Sequence, residues 1–490
     1  MIFSSPFFLY IFLPLLLLTY YICLKIIPKV SNIILLFFSL FFYSFGELNY
    51  LFIIIFCIIF NHLYGNLISI FKDKLNIKYA KLFLLFGCCI NLVPLVYYKY
   101  SKFILDNLYF ITELISFKNI NLQETYLPLG ISFFTFQAIS YLIDIYRGSV
   151  KPEKSFINTA LFISLFPQLV AGPIVRYKQI NKQLYKRTHT YNNFSYGVYR
   201  FVIGLSKKVI IADNLGLFSD FAFSQSTNNI TFTLAWLGAI CFTLQIYFDF
   251  SAYSDMAIGL GRMFGFVIPE NFNYPYIARN VRDLWNRWHI SLTTWFRDYV
   301  YASLRSLPSG RKYKNFFSIF VFILVGFWHG ASWNFILWGG FYGVLLVVER
   351  KGLLKIINKL PLVLQHLYLL LIVVFSIILF RANSIDQIYT FLKAMLGLNF
   401  DAELPTLFYI NYNEEVFCLI IIGIIASTPI IPFLVEKIKA NIENTESQIL
   451  YKFKYATSVV SVLLIFIFLF VFTSGVLISS SQSPFVYFRF

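Results

Sequence analysis

Apolar stretches of bilayer length recur along the whole chain, and they leave few folds open to it. A spanning α-helix needs about 20 mainly apolar residues, and such stretches fall near residues 6–27, 31–46, 49–71, 82–98, 127–146, 156–175, 195–212, 231–263, 315–348, 361–381, 415–437 and 455–480. In hydrocarbon each backbone polar group must be satisfied within its own segment, so these stretches are expected to be helices. Composition agrees: 59% of residues are hydrophobic, only 13% are charged, and the mean hydropathy is +0.71, beyond what a soluble domain with a polar surface carries. The expected fold class is therefore an all-α polytopic membrane protein with about ten to twelve transmembrane helices plus interfacial helices. Two stretches, 231–263 and 315–348, run past the usual span length and contain Gly, Asp or His. Each is expected to be two shorter helices or one that breaks at membrane depth, and broken helices line cavities. The first stretch has no basic residue before it and no small-residue cleavage pattern ahead of Lys25, so it reads as a helix rather than a signal peptide.

The net charge of +17 is concentrated: residues 172–208 hold eight Lys/Arg and no acid, and residues 279–314 hold eight against Asp283 and Asp298. In a chain this apolar such clusters mark cytoplasmic loops facing anionic headgroups and not a nucleic-acid surface, so both segments of this multi-pass chain are placed in the cytoplasm. Lys25/Lys29, Lys72–Lys81 and Lys99/Lys102 cannot all share that side if every stretch spans, so one early segment is expected to be interfacial. Six scattered cysteines show no metal or disulfide spacing. There is no fixed-period repeat and no pair of matching halves, which weighs against a secondary transporter. The polar insertions near 103–126 and 400–414 are short. One membrane domain, 1–490, is the simplest organisation, with a core at 125–345 and peripheral helices at 1–124 and 346–490.

Residues 245–343 carry six of the seven tryptophans and two of the five histidines. His329 follows the apolar run Ile319–Phe327, where an ionisable group is costly enough to be a functional candidate. Small neighbours, Gly326, Gly330, Ala331 and Ser332, leave room for a substrate or another backbone. A lone membrane histidine is more often a neutral structural group, and the tryptophans also suit an interfacial belt. A second cluster tips the balance. If 280–298 is helical, Arg282, Trp285, Asn286 and His289 share one face, suited to an anionic or thioester-bearing ligand; Arg279, Arg287 and Arg297 fit lipid phosphates better. A third element places Asp249, Ser254 and Asp255 inside an apolar stretch, where the carboxylates must be paired, hydrogen-bonded or protonated. Asp249 is a candidate to orient an imidazole or to bind Arg282, with helix-to-helix glue as the safer reading. Gly259-Leu260-Gly261 with Gly265 lacks the spacing and βαβ context of a dinucleotide fingerprint. Gly261/Gly265 and Gly339/Gly343 read as close helix-packing positions. No Gly-x-Ser-x-Gly elbow, no P-loop and no His-x4-Asp from either His289 or His329 is present, so serine-hydrolase, nucleotide-driven and soluble glycerolipid-acyltransferase chemistries lack their residues.

The segments Asp249-Phe250-Ser251-Ala252-Tyr253-Ser254-Asp255-Met256-Ala257, Pro269-Glu270-Asn271-Phe272, Arg287-Trp288-His289-Ile290-Ser291-Leu292, Arg297-Asp298-Tyr299 and Trp328-His329-Gly330-Ala331 resemble the membrane-bound O-acyltransferase (MBOAT) family. They point to its bacterial branch, which contains the alginate O-acetylation membrane subunit AlgI, the peptidoglycan O-acetyltransferase PatA and the D-alanyl transfer protein DltB. Pro128-Leu129-Gly130-Ile131-Ser132-Phe133, Gly172-Pro173-Ile174 and Pro484-Phe485-Val486-Tyr487-Phe488 add weaker support. Pro308-Ser309-Gly310-Arg311 departs from the Gly-Gly-Asn-Arg-like turn of alginate-type members, which leaves the polysaccharide open.

The resemblance implies helices around a central tunnel, with His329 as the catalytic histidine and His289 as the second histidine at that tunnel. It implies a cytoplasmic acyl thioester as donor, acetyl-CoA ahead of an acyl carrier protein, with no bound cofactor and no metal. The acyl group, acetyl ahead of D-alanyl, would pass to the hydroxyl of a cell-wall or secreted polysaccharide through a periplasmic or extracellular O-acetyltransferase partner. Asp249, Ser254, Asp255, Arg282, Trp285, Asn286 and Trp328 are the candidate donor-binding or tunnel-lining residues. On this reading His329 acts as general base on an acceptor hydroxyl, His289, Asn286 or Trp285 steadies the oxyanion, and an acyl-imidazole on His329 is the less favoured variant. A flippase of a lipid-linked precursor and a non-catalytic partner of a periplasmic transferase are the competing classes.

Overall fold

The computed structural model of the chain describes residues 1–74, 77–112, 126–445 and 447–479. Pro484–Phe488, and most of the polar insertion near 103–126, lie outside the described residues. The chain is an all-α polytopic membrane protein, 80% helical and without strands among the described residues. Six helices there are long and apolar enough to cross a bilayer, or seven if Glu414–Ala426 and Ile430–Glu443, bent by 61°, form one span.

That number is smaller than the hydropathy reading for identifiable reasons. The stretch 156–175 is helical only over Phe156–Ser164 and Phe166–Leu169, because Leu165 leaves the helical region (ψ 113°) and Pro167 and Pro173 bring no N–H. Its irregular backbone is tolerated because it is buried in protein: Phe166 N–H donates to Ser39 Oγ (3.2 Å) and Gln168 Nε2 to the Phe162 carbonyl (2.8 Å). Ile131–Arg147 has 17 residues and is buried on nearly all faces, a core helix and not a lipid-facing one.

Phe232–Met263 is the central helix, and the expected break in it does not occur: it runs 32 residues without interruption, about 48 Å at about 1.5 Å per residue. Its start is capped by Thr231, whose Oγ1 accepts from Leu234 N–H (3.3 Å). Its end is a Schellman turn in which Gly265 takes φ +79° while Phe266 N–H returns to the Gly261 carbonyl (2.8 Å). The helix stays whole because its polar residues find partners on Tyr191–Ser206 and the segment that follows it. Glycines bring those helices into contact: a Cβ on Gly197 would lie 2.6 Å from the Gly259 carbonyl oxygen. Gly261 faces Ile268 of the returning chain and Gly265 terminates the helix, so neither is a helix-to-helix glycine.

The stretch 315–348 does break, at Gly330–Ser332, into Lys314–His329 and Trp333–Val348. The arms touch through glycines as expected: a Cβ on Gly339 would sit 3.1 Å from Gly326 Cα, and one on Gly343 would sit 2.8 Å from Ile319 Cα. Each arm is 16 residues, about 24 Å, short of the roughly 30 Å hydrocarbon core. His329 is the last residue of the first arm, at the tip of this hairpin.

Candidate active site

The tip of the hairpin is held from outside. Lys99 Nζ donates to the Trp328 carbonyl (2.6 Å) and the His329 carbonyl (3.3 Å), and Tyr100 Oη donates to the Phe327 carbonyl (3.1 Å). Two side-chain donors, Lys99 and Tyr100, thus close the carbonyl end of the helix, where its dipole is negative. Lys99 sits in a π-helical turn, Val96–Tyr100, a distortion that recurs at functional positions. His329 is 3% exposed and walled by aromatic rings: Trp328, Trp338 and Phe380 lie 4.8, 5.2 and 5.3 Å away between centroids.

His289 reaches the same region by a different route from the one expected. The helix over 280–298 does not form; it stops at Arg287, Trp288 is extended (φ −96°, ψ 127°), and His289 is left-handed (φ +42°) before a new helix, Ile290–Trp295. His289 therefore does not share a helical face with Arg282, Trp285 and Asn286. The cause is tertiary. Asn271 supplies the bonds a continuous helix would have made: its carbonyl accepts from Ile290 N–H (2.9 Å) and its Oδ1 from Ser291 N–H (3.1 Å) and Ser291 Oγ (2.8 Å). Asn271 Oδ1 also lies 3.2 Å from His289 Nδ1, and its Nδ2 donates to Ser254 Oγ (3.1 Å). Ser254 thus supports His289 through Asn271. The Trp328 ring neighbours both imidazoles, 5.9 Å from His289 and 4.8 Å from His329.

Arg282, Trp285 and Asn286 do form one face, on Val281–Arg287, whose first amides are capped by Glu349: Val281 N–H donates to Oε1 (2.8 Å) and Arg282 N–H to Oε2 (3.3 Å). With Arg297 and Arg350 they line a cavity of about 170 Å³ at the basic end of the protein. Beside it Asp298 accepts from Arg176 and Arg297 (both 2.7 Å). Burial raises this carboxyl, but the two guanidiniums outweigh it and hold it below its ordinary range.

Small cavities continue inward. Trp285 borders both the basic-end cavity and one of about 30 Å³ that also touches His329. Across Phe380, which borders that space too, opens a vestibule of about 790 Å³ lined by Gln245, Ser332, Trp333 and Asn383 among others. A fourth space, about 50 Å³, lies against His329 beside Lys99, Ser132 and Trp328. Asp249 and Asp255 are drawn elsewhere: Lys208 Nζ is 2.6 Å from Asp249 and 2.7 Å from Asp213, while Arg200 and Lys207 each approach Asp255 to 2.7 Å. These carboxylates join helices, and the pairing of Asp249 is with Lys208 and not with Arg282.

Lys99, Asn271 and Glu349 were not among the sequence candidates. Lys99 carried a usable signal, since it ends the apolar run from Leu82 and a charge there warrants attention. Asn271 lay inside a quoted motif without a role, and Glu349 gave none.

A model described as "MBOAT, membrane-bound O-acyltransferase family" matches residues 152–392. The chain is 39% identical over 399 residues to the "Probable alginate O-acetylase AlgI" of Azotobacter vinelandii, covering 81% of this chain and 78% of that one. It is 36% identical to the "Peptidoglycan O-acetyltransferase" of Helicobacter pylori, covering 81% and 80%. Similarity to the "Teichoic acid D-alanyltransferase" of Bacillus subtilis is 32% and covers 44% and 58%.

Proposed function

The chain belongs to the membrane-bound O-acyltransferase family and is an O-acyltransferase, and on that premise we propose that it carries an acetyl group from a cytoplasmic thioester to a hydroxyl on an extracytoplasmic glycan. The observation that carries the reading is the position of His329, buried at the hairpin tip where the cavities from the two ends of the protein approach each other. Acetyl is placed ahead of D-alanyl because the relatives named for O-acetylation align over far more of the chain. The basic end, with its excess of Lys and Arg, is assigned to the cytoplasm of a bacterial inner membrane. There Arg282, Asn286, Arg297 and Arg350 receive an anionic thioester, acetyl-CoA or an acyl carrier protein. A periplasmic transferase takes the acetyl group onward to alginate, peptidoglycan or a related polymer.

In this mechanism His329 accepts the proton of the attacking hydroxyl, its apolar surroundings favouring the neutral imidazole. Asn271 fixes His289, which with Trp328 forms the wall beside it. Replacing His329 with Ala should abolish acetyl transfer from radiolabelled acetyl-CoA in membrane vesicles while leaving expression and membrane insertion intact. Transfer at the unsubstituted rate would remove His329 from the chemistry.

A further inference from the structure

Thioester transfer requires a place for negative charge, and the space on one side of His329 is built for it. When an acceptor hydroxyl attacks, its oxygen bonds to the carbonyl carbon, its proton passes to His329, and the carbonyl π pair moves onto the carbonyl oxygen. Collapse restores that double bond, breaks the C–S bond, and returns the proton from His329 to the leaving thiolate. Between the two steps the oxygen carries a full charge inside a low-dielectric site, where preorganised donors act most strongly.

We propose that this oxyanion is held in the cavity of about 50 Å³ bounded by Lys99, Ser132, Trp328 and His329; the proposal rests on the acyl-transfer reading above. Among the described residues no carboxylate lines this cavity, and each of its polar side chains, Lys99, Ser132, Trp328 and His329, can donate a hydrogen bond. The indole of Trp328 can only donate; it is 5% exposed, and its Nε1 has no hydrogen-bond partner among the described residues. A buried N–H of that kind is rare enough to require a cause. Among the four cavities Trp328 borders this one alone. The Nζ donor of Lys99 is fixed at the cavity wall by its bonds to the Trp328 and His329 carbonyls. The 17-residue helix Ile131–Arg147 begins there, so its positive end faces the same space, with Ser132, 7% exposed, in its first turn.

Size points the same way. A water needs about 10–15 Å³ of such space, so a cavity of about 50 Å³ accepts a carbonyl oxygen and a methyl group and not a long acyl chain.

The test uses the full chain in membrane vesicles with acetyl-CoA as probe, comparing Trp328→Phe, Ser132→Ala, Lys99→Met and Lys99→Arg. Trp328→Phe removes the N–H donor and leaves a smaller aromatic ring in its place. Loss of one such donor lowers kcat by about 10²–10³-fold, and KM for acetyl-CoA is expected to stay within about twofold because the charge exists only after attack. Lys99→Arg should recover part of the rate that Lys99→Met loses. If the unsubstituted protein transfers acetyl and both Trp328→Phe and Ser132→Ala retain its kcat, the oxyanion cavity is wrong while the acyl-transfer reading stands. If those variants change KM alone, the cavity binds the ground state and the proposal fails as well. If the unsubstituted protein transfers nothing, the reading beneath it fails first and takes the cavity with it.

Discussion

Lys208 is 1% exposed and bonded to both Asp249 and Asp213, an ionic knot between Lys207–Ala212 and the central helix. Removing one partner of a buried pair leaves an uncompensated charge and costs about 3–5 kcal/mol, whereas replacing both by apolar groups is often neutral. Lys208→Met is therefore expected to lower thermal stability in detergent sharply. The double variant Lys208→Met/Asp249→Leu, which leaves only the more exposed Asp213 without its cation, should recover part of that loss and retain acetyl transfer. A stable double variant without transfer would return Asp249 to the chemistry. At this scale the sequence made Asp249 and Asp255 visible as groups needing partners, but could not say which, because the partners lie 41 to 55 positions away in the chain. His289 shows the same limit. Its identity was legible, but its left-handed backbone, a conformation that costs an ordinary residue about 1–2 kcal/mol, is imposed by Asn271 from 18 positions upstream.

At the level of elements, the break in 315–348 was foreshadowed by Gly330 and by a length beyond one span, whereas the break at Trp288–His289 was not, since Val281–Trp295 has no glycine or proline to announce it. The break expected in 231–263 from its length and its Gly and Asp residues does not occur, because those polar residues are partnered by neighbouring helices. The hairpin offers a direct check on how far helix contact sets the position of His329. Gly339 faces the Phe322 backbone and Gly326 on the opposite arm, so even one methyl must push the arms apart. Gly339→Ala is expected to lower both thermal stability and acetyl transfer, by about 1–3 kcal/mol in stability as an overpacked contact. Gly475→Ala serves as the control, because a Cβ there meets nothing within 4 Å. Equal behaviour of the two variants would mean that the hairpin does not depend on close glycine packing.

Across the whole molecule, the basic-end cavity and the opposite vestibule each border the small space that touches His329, the first through Trp285 and the second through Phe380. On the proposed function the protein must admit two substrates to His329 while keeping water from the thioester, since water is itself a competent acceptor. Phe380 is placed for that exclusion: it is 3% exposed and packs on His329, Phe335 and Trp338 at 5.3, 4.9 and 5.1 Å between centroids. Reducing it to Leu keeps an apolar plug but opens the partition, at a core cost smaller than the roughly 3–5 kcal/mol of Phe→Ala. Phe380→Leu is accordingly expected to raise hydrolysis of acetyl-CoA relative to transfer by several-fold, read as thiol released per acetyl group delivered to glycan. The same His329→Ala background should suppress both reactions if, as proposed, one base serves either acceptor. An unchanged hydrolysis-to-transfer ratio in Phe380→Leu would place the water barrier elsewhere along the path, with Trp285 the next side chain to vary.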